Sequence, residues 1–410
     1  QVDIKISWGN YIQNSALQGL LPSARSSIFF TMIGLAFMIP AKISFSLWFF
    51  WVLYMVQLLV LVWVGYGVDE RSFPVWWWYT FNFRTAEGAG ALMVFAAFIL
   101  FKCRKYILCF FMPSSVRDLE TAERTELRIS SFLFLLGSVG LVLLLWRGLG
   151  ANLFYTILCY FVIIAISIGL ARAVTEGGIL GFQAWVSPFH LIRTLFGMNK
   201  SWTAPPLYAP LMVYYSIMFL DIKTFIVPSM ANSIKIRDDM KMGRARFHLS
   251  IVLCILVAAG VAVVAHIMMS YGKGADNMER WFYMQFPKGM FDKIASIAKV
   301  QPVDNTACRL WLGFGAMLMV GLLFFRRRFF WLPHPIGLIM LVNPLMYGYW
   351  FSLFLGWAAK SLVTKYGSKD AYEKTRNLFV GLIVGELLIV VLGMIVSYSM
   401  EIRIPIDLNR

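Results

Sequence analysis

The sequence predicts an all-α, polytopic helical membrane protein, and three observations carry that prediction. Of 410 residues, 60% are hydrophobic and only 14% are charged, where a soluble domain has roughly 25% charged residues. Mean hydropathy is +0.70, and the apolar residues gather into runs near the length that crosses a bilayer, about 20 residues. Aromatic residues make up 16%, with 15 Trp, which suits two interfacial belts. The net charge of +16 would suggest nucleic acid in a soluble protein. Here Lys and Arg sit in short loops beside apolar runs, where they set topology and meet anionic headgroups. The expected partner is the lipid bilayer and not nucleic acid.

Residues 1–27 form a polar N-terminal segment without a signal-peptide pattern. The chain starts at Gln1, as expected of a processed chain or of one whose natural start lies upstream. Residues 28–40 are apolar but short for a span, and Pro40 and Lys42 interrupt before the long run 43–67. The pair reads as two spans with a tight turn or as one helix broken at Pro40. Residues 68–87 form a polar-aromatic loop in which Trp76, Trp77 and Trp78 suggest a segment at headgroup level. A span from about Gly88 to Phe101 ends in Lys102, Arg104 and Lys105. Residues 113–129 alternate Arg and Glu and read as a solvated surface helix. Spans at 130–146 and 152–173 follow.

The chain is organised around residues 163–221. An apolar run ends in Arg172 and Glu176, breaks at Gly177-Gly178, and resumes before Pro188 and His190. Residues 179–198 are expected to cross the membrane or to re-enter it. The next run, 207–227, carries Asp221 and Lys223. A basic loop (235–246), a span (248–271), a polar connection (272–305) and a span (307–325) ending in Arg326-Arg327-Arg328 come next. Asn343-Pro344 breaks the following run, a Lys-bearing connection leads to the span 378–400, and 401–410 is a tail. The count is about nine to eleven membrane segments, some broken or re-entrant. The basic clusters 102–105, 235–246 and 326–328 suit the cytoplasmic side.

One internal echo is present. MIPAKISFSLWFFW followed by RTAEGAGALMVFAAFIL resembles LVNPLMYGYWFSLFLGW followed by TRNLFVGLIVGELLIVVL. Both have a proline break, an aromatic patch, a polar connection and a glycine-bearing span with one Glu near its start. Paired interrupted segments point to a repeat-built transporter, with halves at 28–233 and 246–400. The stretches FMIPAKISFSLWFFW, ARAVTEGG and WLPHPIGLIM…PLMYGYWFSLFLGWAAKSLVTKYG resemble a family of uncharacterised bacterial multi-spanning proteins placed near the oligopeptide-transporter superfamily. That resemblance implies a transporter-like fold in a bacterial inner membrane and gives no substrate.

The candidate chemistry lies in a few charges. Arg172 and Glu176, four apart, share a helix face and can pair. Beside a glycine break they mark either a solute or ion pathway or the water interface where a helix ends. Asp221 is either a pathway acid or an end-of-span residue with Lys223 snorkelling. Glu386, flanked by apolar residues and preceded by Gly381-x-x-x-Gly385, is either a proton-coupling acid or a helix–helix hydrogen-bond partner. Glu87 holds the matching place in the echo. Pro40, Gly177, Gly178, Asn343 and Pro344 are the expected helix breaks, which expose backbone to a ligand or are repaired by neighbouring helices.

No cofactor or metal is expected. The five cysteines lack zinc, iron–sulfur or haem-attachment spacing. His248 and His266 stand about 27 Å apart on one helix at 1.5 Å per residue, which does not support a haem site. There is no Walker loop, H-E-x-x-H or G-x-S-x-G, so no catalytic motif appears. The expectation is a secondary-transporter-like protein for an organic solute, peptide-like solutes included. The competing expectation is a subunit of a larger membrane complex, with partner subunits or further copies of the chain.

Overall fold

Two interrupted helices set the architecture in a computed structural model. It describes residues 4–6, 26–65, 83–112, 121–178, 186–197, 204–218, 226–274, 277–278, 280–299, 306–326, 328–343 and 345–400. The first is α1 (Phe30–Met38), a break at Ile39-Pro40, and α2 (Ala41–Trp63). Pro40 has no N–H to continue the ladder, and Ile39 takes up an extended conformation. Further on come α3 (Phe83–Lys102), α4 (Arg104–Phe111), α5 (Thr121–Leu143) with a π-helical turn over Leu144–Gly148, and α6 (Leu153–Gly177). Asn152 caps α6 by accepting from the Tyr155 N–H, and Gly178 ends it in the left-handed region at φ 61°, where glycine carries no Cβ penalty.

The chain continues through α7 (Pro188–Phe196), α8 (Pro205–Met218), α9 (Ile226–Asp239), α10 (Arg244–Lys273), α11 (Phe286–Lys299) and α12 (Thr306–Phe325). The second interrupted helix is α13 (Pro335–Ile339), a 3-10 turn over Met340–Val342, extended Asn343, and α14 (Met346–Tyr366). Ser368 then caps α15 (Lys369–Ser399). Within the polar N-terminal segment, β1 (Ile4–Ile6) pairs antiparallel with β2 (Ser26–Ile28). These two three-residue strands are a small addition to an otherwise helical chain.

Among the described residues, seven helices are long and apolar enough to cross a membrane: those within α2, α3, α5, α6, α10, α12 and α15. The chain is a multi-pass integral membrane protein. Several boundaries differ from the sequence reading. Of the Arg/Glu stretch 113–129, residues 113–120 lie outside the described residues, and 121–129 form no separate surface helix, because α5 runs unbroken from Thr121 past residue 130 into the apolar run. Nothing in ERTELRISS stops a helix, so the charged turns are its wet end. The 179–198 segment contains a nine-residue helix, α7, about 13 Å long at 1.5 Å per residue. That is well short of a bilayer core of about 30 Å, and six of its residues are buried. Trp76–Trp78, Asp221, Lys223 and Pro344 lie outside the described residues.

The two interrupted helices interlock. Short α1 lies parallel to α14, since Gly348 faces Phe29, Gly356 faces Ile33 and Ala36, and Lys360 reaches Ile39. Short α13 lies parallel to α2 in the same way, with Phe330 bonded to Lys42, His334 to Ser46, and Gly337 against Ser46 and Phe50. The long helices α2 and α14 run antiparallel, Phe45 meeting Trp357 and Trp48 meeting Phe354. Each short helix therefore packs on the long helix of the other pair and runs antiparallel to its own, so each interruption is a tight turn between two antiparallel helices, the first of the two readings offered for Pro40. Close backbone approach needs glycine at Gly337 and Gly356, where a Cβ would fall on the Ser46 and Ile33 carbonyl oxygens.

A second axis of packing joins α3 to α12. A Cβ on Gly90 would land on the Leu312 carbonyl, and one on Gly315 on the Glu87 carbonyl. Phe83 packs on Trp311 ahead of this crossing, and Val94, Phe98 and Phe101 share one space with Val320, Phe324 and Arg328 beyond it, so α3 and α12 are parallel. The clusters 102–105 and 326–328 consequently leave the membrane at one end, as the positive-inside rule requires of cytoplasmic segments.

Candidate functional site

Short helices inside a protein end in unsatisfied N–H and C=O groups, and in hydrocarbon those groups need partners. Here charged side chains supply them. At the C-terminal end of α1, Lys360 Nζ donates to the Ile39 carbonyl at 2.7 Å. At the end of the α13 and 3-10 segment, Arg84 Nη1 donates to the Leu341 carbonyl at 2.7 Å and the Asn343 carbonyl at 3.3 Å. The Arg84 guanidinium also lies 5.3 Å from the Trp51 ring centroid and 5.7 Å from that of Tyr54. At the end of α7, Arg309 Nε donates to the Thr194 carbonyl at 2.8 Å. Three short helices thus each have a cation at the negative end of the dipole.

The N-terminal ends are treated with the opposite sign or with a neutral acceptor. Glu386 on α15 accepts the Thr31 N–H in the first turn of α1, where a carboxylate faces the positive end of the helix dipole. His334 caps α13 itself, Nδ1 accepting from the Ile336 N–H at 3.2 Å. With Nδ1 an acceptor, the ring proton of neutral His334 sits on Nε2. That atom lies 3.6 Å from Glu176 Oε1.

Glu176 also pairs with Arg172 at 2.8 Å, and the pair is half exposed. The expected i,i+4 pairing is present, and it extends to His334. Just beyond it, Gly178 comes within a methyl's reach of Ile39. The end of α6 therefore touches both interrupted helices, at the first break through Gly178 and at the start of α13 through Glu176.

Both breaks open onto one space. Ile39, Gly178, Asn343, Met346, Tyr349 and Leu353 are among the residues lining a cavity of about 20 Å³, room for roughly one water. Of the expected helix-break residues, Gly178 and Asn343 line this cavity, Pro40 adjoins it in sequence, and Gly177 is the last residue of α6. The Arg172–Glu176 pair and Glu386 flank the interrupted pair at separate places, Glu386 being bonded to the Thr31 N–H and not to that ion pair.

Buried Glu87 accepts from Gln57 Nε2 at 3.4 Å, one turn from Arg84 on α3. A separate ion cluster ties α5, α9 and α10 together. Glu126 meets Arg237 at 3.1 Å and His248 at 2.6 Å, with Arg244 at 3.7 Å. Burial works against the Arg237 cation, but bonds to Asp238 and Glu126 outweigh it and raise its pKa above the ordinary arginine value. His266 bonds Tyr283 at 2.7 Å. Among the described residues no group of three or more His, Cys, Asp or Glu side chains is placed to hold a metal ion.

Sequence reasoning missed Arg84, Lys360 and Arg309. The one mark of Arg84 in the sequence is its place four residues before the apolar GAGALMVF run, and nothing there pointed to its partners. Treating the charge as the edge of the hydrocarbon placed it outside the span that it belongs to.

No curated protein and no solved structure matches the chain. The sequence profile of DUF6785, a family of unknown function, matches residues 1–406. With that match over nearly the whole chain, the protein belongs to the DUF6785 family.

Proposed function

We propose that the chain is a secondary-transporter-like protein of a bacterial cytoplasmic membrane, moving an organic solute by alternating access around its two interrupted helices. The observation that carries this reading is the shared cavity. Ile39 and Asn343, the two breaks, line one narrow space between helices packed as mutual partners. Transporters built from inverted repeats bind substrate where interrupted helices meet and unwound backbone is exposed. Exchanging α1–α2 with α13–α14 carries the parallel pair α1/α14 onto the parallel pair α13/α2. That correspondence supports 28–233 and 246–400 as two inverted copies. Room for one water describes an occluded arrangement, and a solute enters when the short helices part. Peptide-like molecules are among the organic solutes expected, and di- and tripeptides are the first to test.

Glu386 and Glu176 are the coupling candidates, with Asp221 as a third. Glu386→Gln keeps an oxygen for the Thr31 N–H, so its melting should change by no more than about 1 kcal/mol, whereas Glu386→Leu orphans that donor. In proteoliposomes under a proton gradient, Glu386→Gln and Glu176→Gln are expected to take up a di- and tripeptide mixture at the rate of empty vesicles. Wild-type uptake in both variants would remove the site assignment. A membrane-impermeant maleimide should label Leu353→Cys from one side. A silent cysteine together with a wild type no faster than empty vesicles would remove the transport reading itself.

One observation favours a second reading, that of an accessory subunit in a larger complex. None of the apolar window of α10 is buried, and its ties to the rest include the Glu126 cluster and the His266–Tyr283 bond. Native mass spectrometry of gently extracted protein separates the two. Other polypeptides in stable proportion would support the subunit reading, and the chain alone or as a homo-oligomer would support the transporter.

A further inference from the structure

We propose that the outer groove between α3 and α12 seats an acyl chain of an anionic phospholipid, with Arg328 and Lys102 on its headgroup. The groove follows from the distribution of glycine along the two helices. Gly90 and Gly315 hold their first halves at backbone contact. Past Gly90, α3 presents Val94, Phe98 and Phe101, and α12 answers with Leu323 and Phe324. These side chains line an open, apolar space of about 560 Å³, within the roughly 300–1,000 Å³ range of small-ligand sites.

The wall is hydrocarbon along its length, and Arg328 closes it at one end. Beside that end the Lys102 ammonium lies 4.9 Å from the Phe98 ring centroid. Since α3 and α12 are parallel, this is the end where Lys102, Arg104, Lys105, Arg326 and Arg328 all emerge. An apolar slot along the bilayer normal with cations only at the headgroup level matches a lipid with a negative head. Basic pockets between transmembrane helices on the cytoplasmic side bind such heads. A free anion would use the cations but not the groove, and a neutral lipid would use the groove but not the cations.

The test is native mass spectrometry of the purified full-length protein, delipidated in detergent and supplied with phosphatidylglycerol or phosphatidylcholine. Wild type is expected to retain phosphatidylglycerol to higher collision energy and to bind it more tightly. Each cation removed should weaken that binding about fivefold, so Lys102→Gln with Arg328→Gln should abolish the preference between the two lipids. Filling the groove with Ala97→Trp or Val320→Trp should lower retention of both lipids. Both positions face outward, and an unchanged elution profile with an unchanged melting midpoint in detergent checks the fold. Equal retention of the two lipids by wild type would overturn the proposal. So would a preference that survives the double substitution, or full retention in both tryptophan variants.

Discussion

Replacing Arg84 by Met is expected to destabilise the protein by about 2–4 kcal/mol, the largest loss among its charged residues. The side chain is only 1% exposed and closes the end of the α13 and 3-10 segment by donating to Leu341 and Asn343. A hydrogen bond from a charged donor contributes about 1.5–3 kcal/mol, and a buried acceptor left alone costs about 1–3 kcal/mol. Loss of the contacts with Trp51 and Tyr54 adds up to about 2 kcal/mol. Relief from burying a guanidinium offsets part of the sum. Arg84→Lys keeps a cation but gives up the planar fork that reaches two carbonyls together, so it should fall between wild type and Met. Thermal unfolding in detergent ranks the three. If Met melts with wild type, Arg84 is not what closes this helix end.

That arrangement explains where the sequence was readable and where it was not. Pro40 and the Asn343 break were legible because each acts locally: a residue without an N–H, or one in extended conformation, stops its own ladder wherever the chain goes. Arg172 with Glu176, and the end of the helix at Gly177-Gly178, were legible for the same reason, since four residues is one helical turn. Arg84 and Lys360 were not, because their partners lie 257 and 321 residues away along the chain. Their partners are also backbone carbonyls, which every residue has and which leave no mark on composition. The error at Arg84 and at 121–129 had one cause. A charge was taken to end a membrane helix, when these charges either lie on a wet extension of it or have a buried partner.

Glu386 shows an intermediate case. The reading offered two roles, a proton-coupling acid or a hydrogen bond between helices, and the Thr31 N–H supplies the second. The first role stays with the proposed function, where Glu386→Gln tests it.

Gly315→Ala is expected to cost about 3 kcal/mol or more, although the same change elsewhere on α12 should be neutral or better. At Gly315 the new methyl would fall on the Glu87 carbonyl oxygen, and at Gly90 on that of Leu312. Backbone cannot swing aside as a side chain can, so the two helices must separate. Overpacking costs about 1–3 kcal/mol where side chains can adjust, and this contact lacks that relief. Separation would also draw α3 away from α13, taking Arg84 off the Leu341 carbonyl and coupling two losses in one substitution. Gly321 is the internal control. It shares the helix but has nothing within 4 Å of its missing methyl, so Gly321→Ala should gain up to about 1 kcal/mol from helix propensity. Melting curves of the two variants side by side decide the matter. Equal midpoints would mean that α3 and α12 are not at backbone contact, and the groove below the crossing would lose its geometric basis as well.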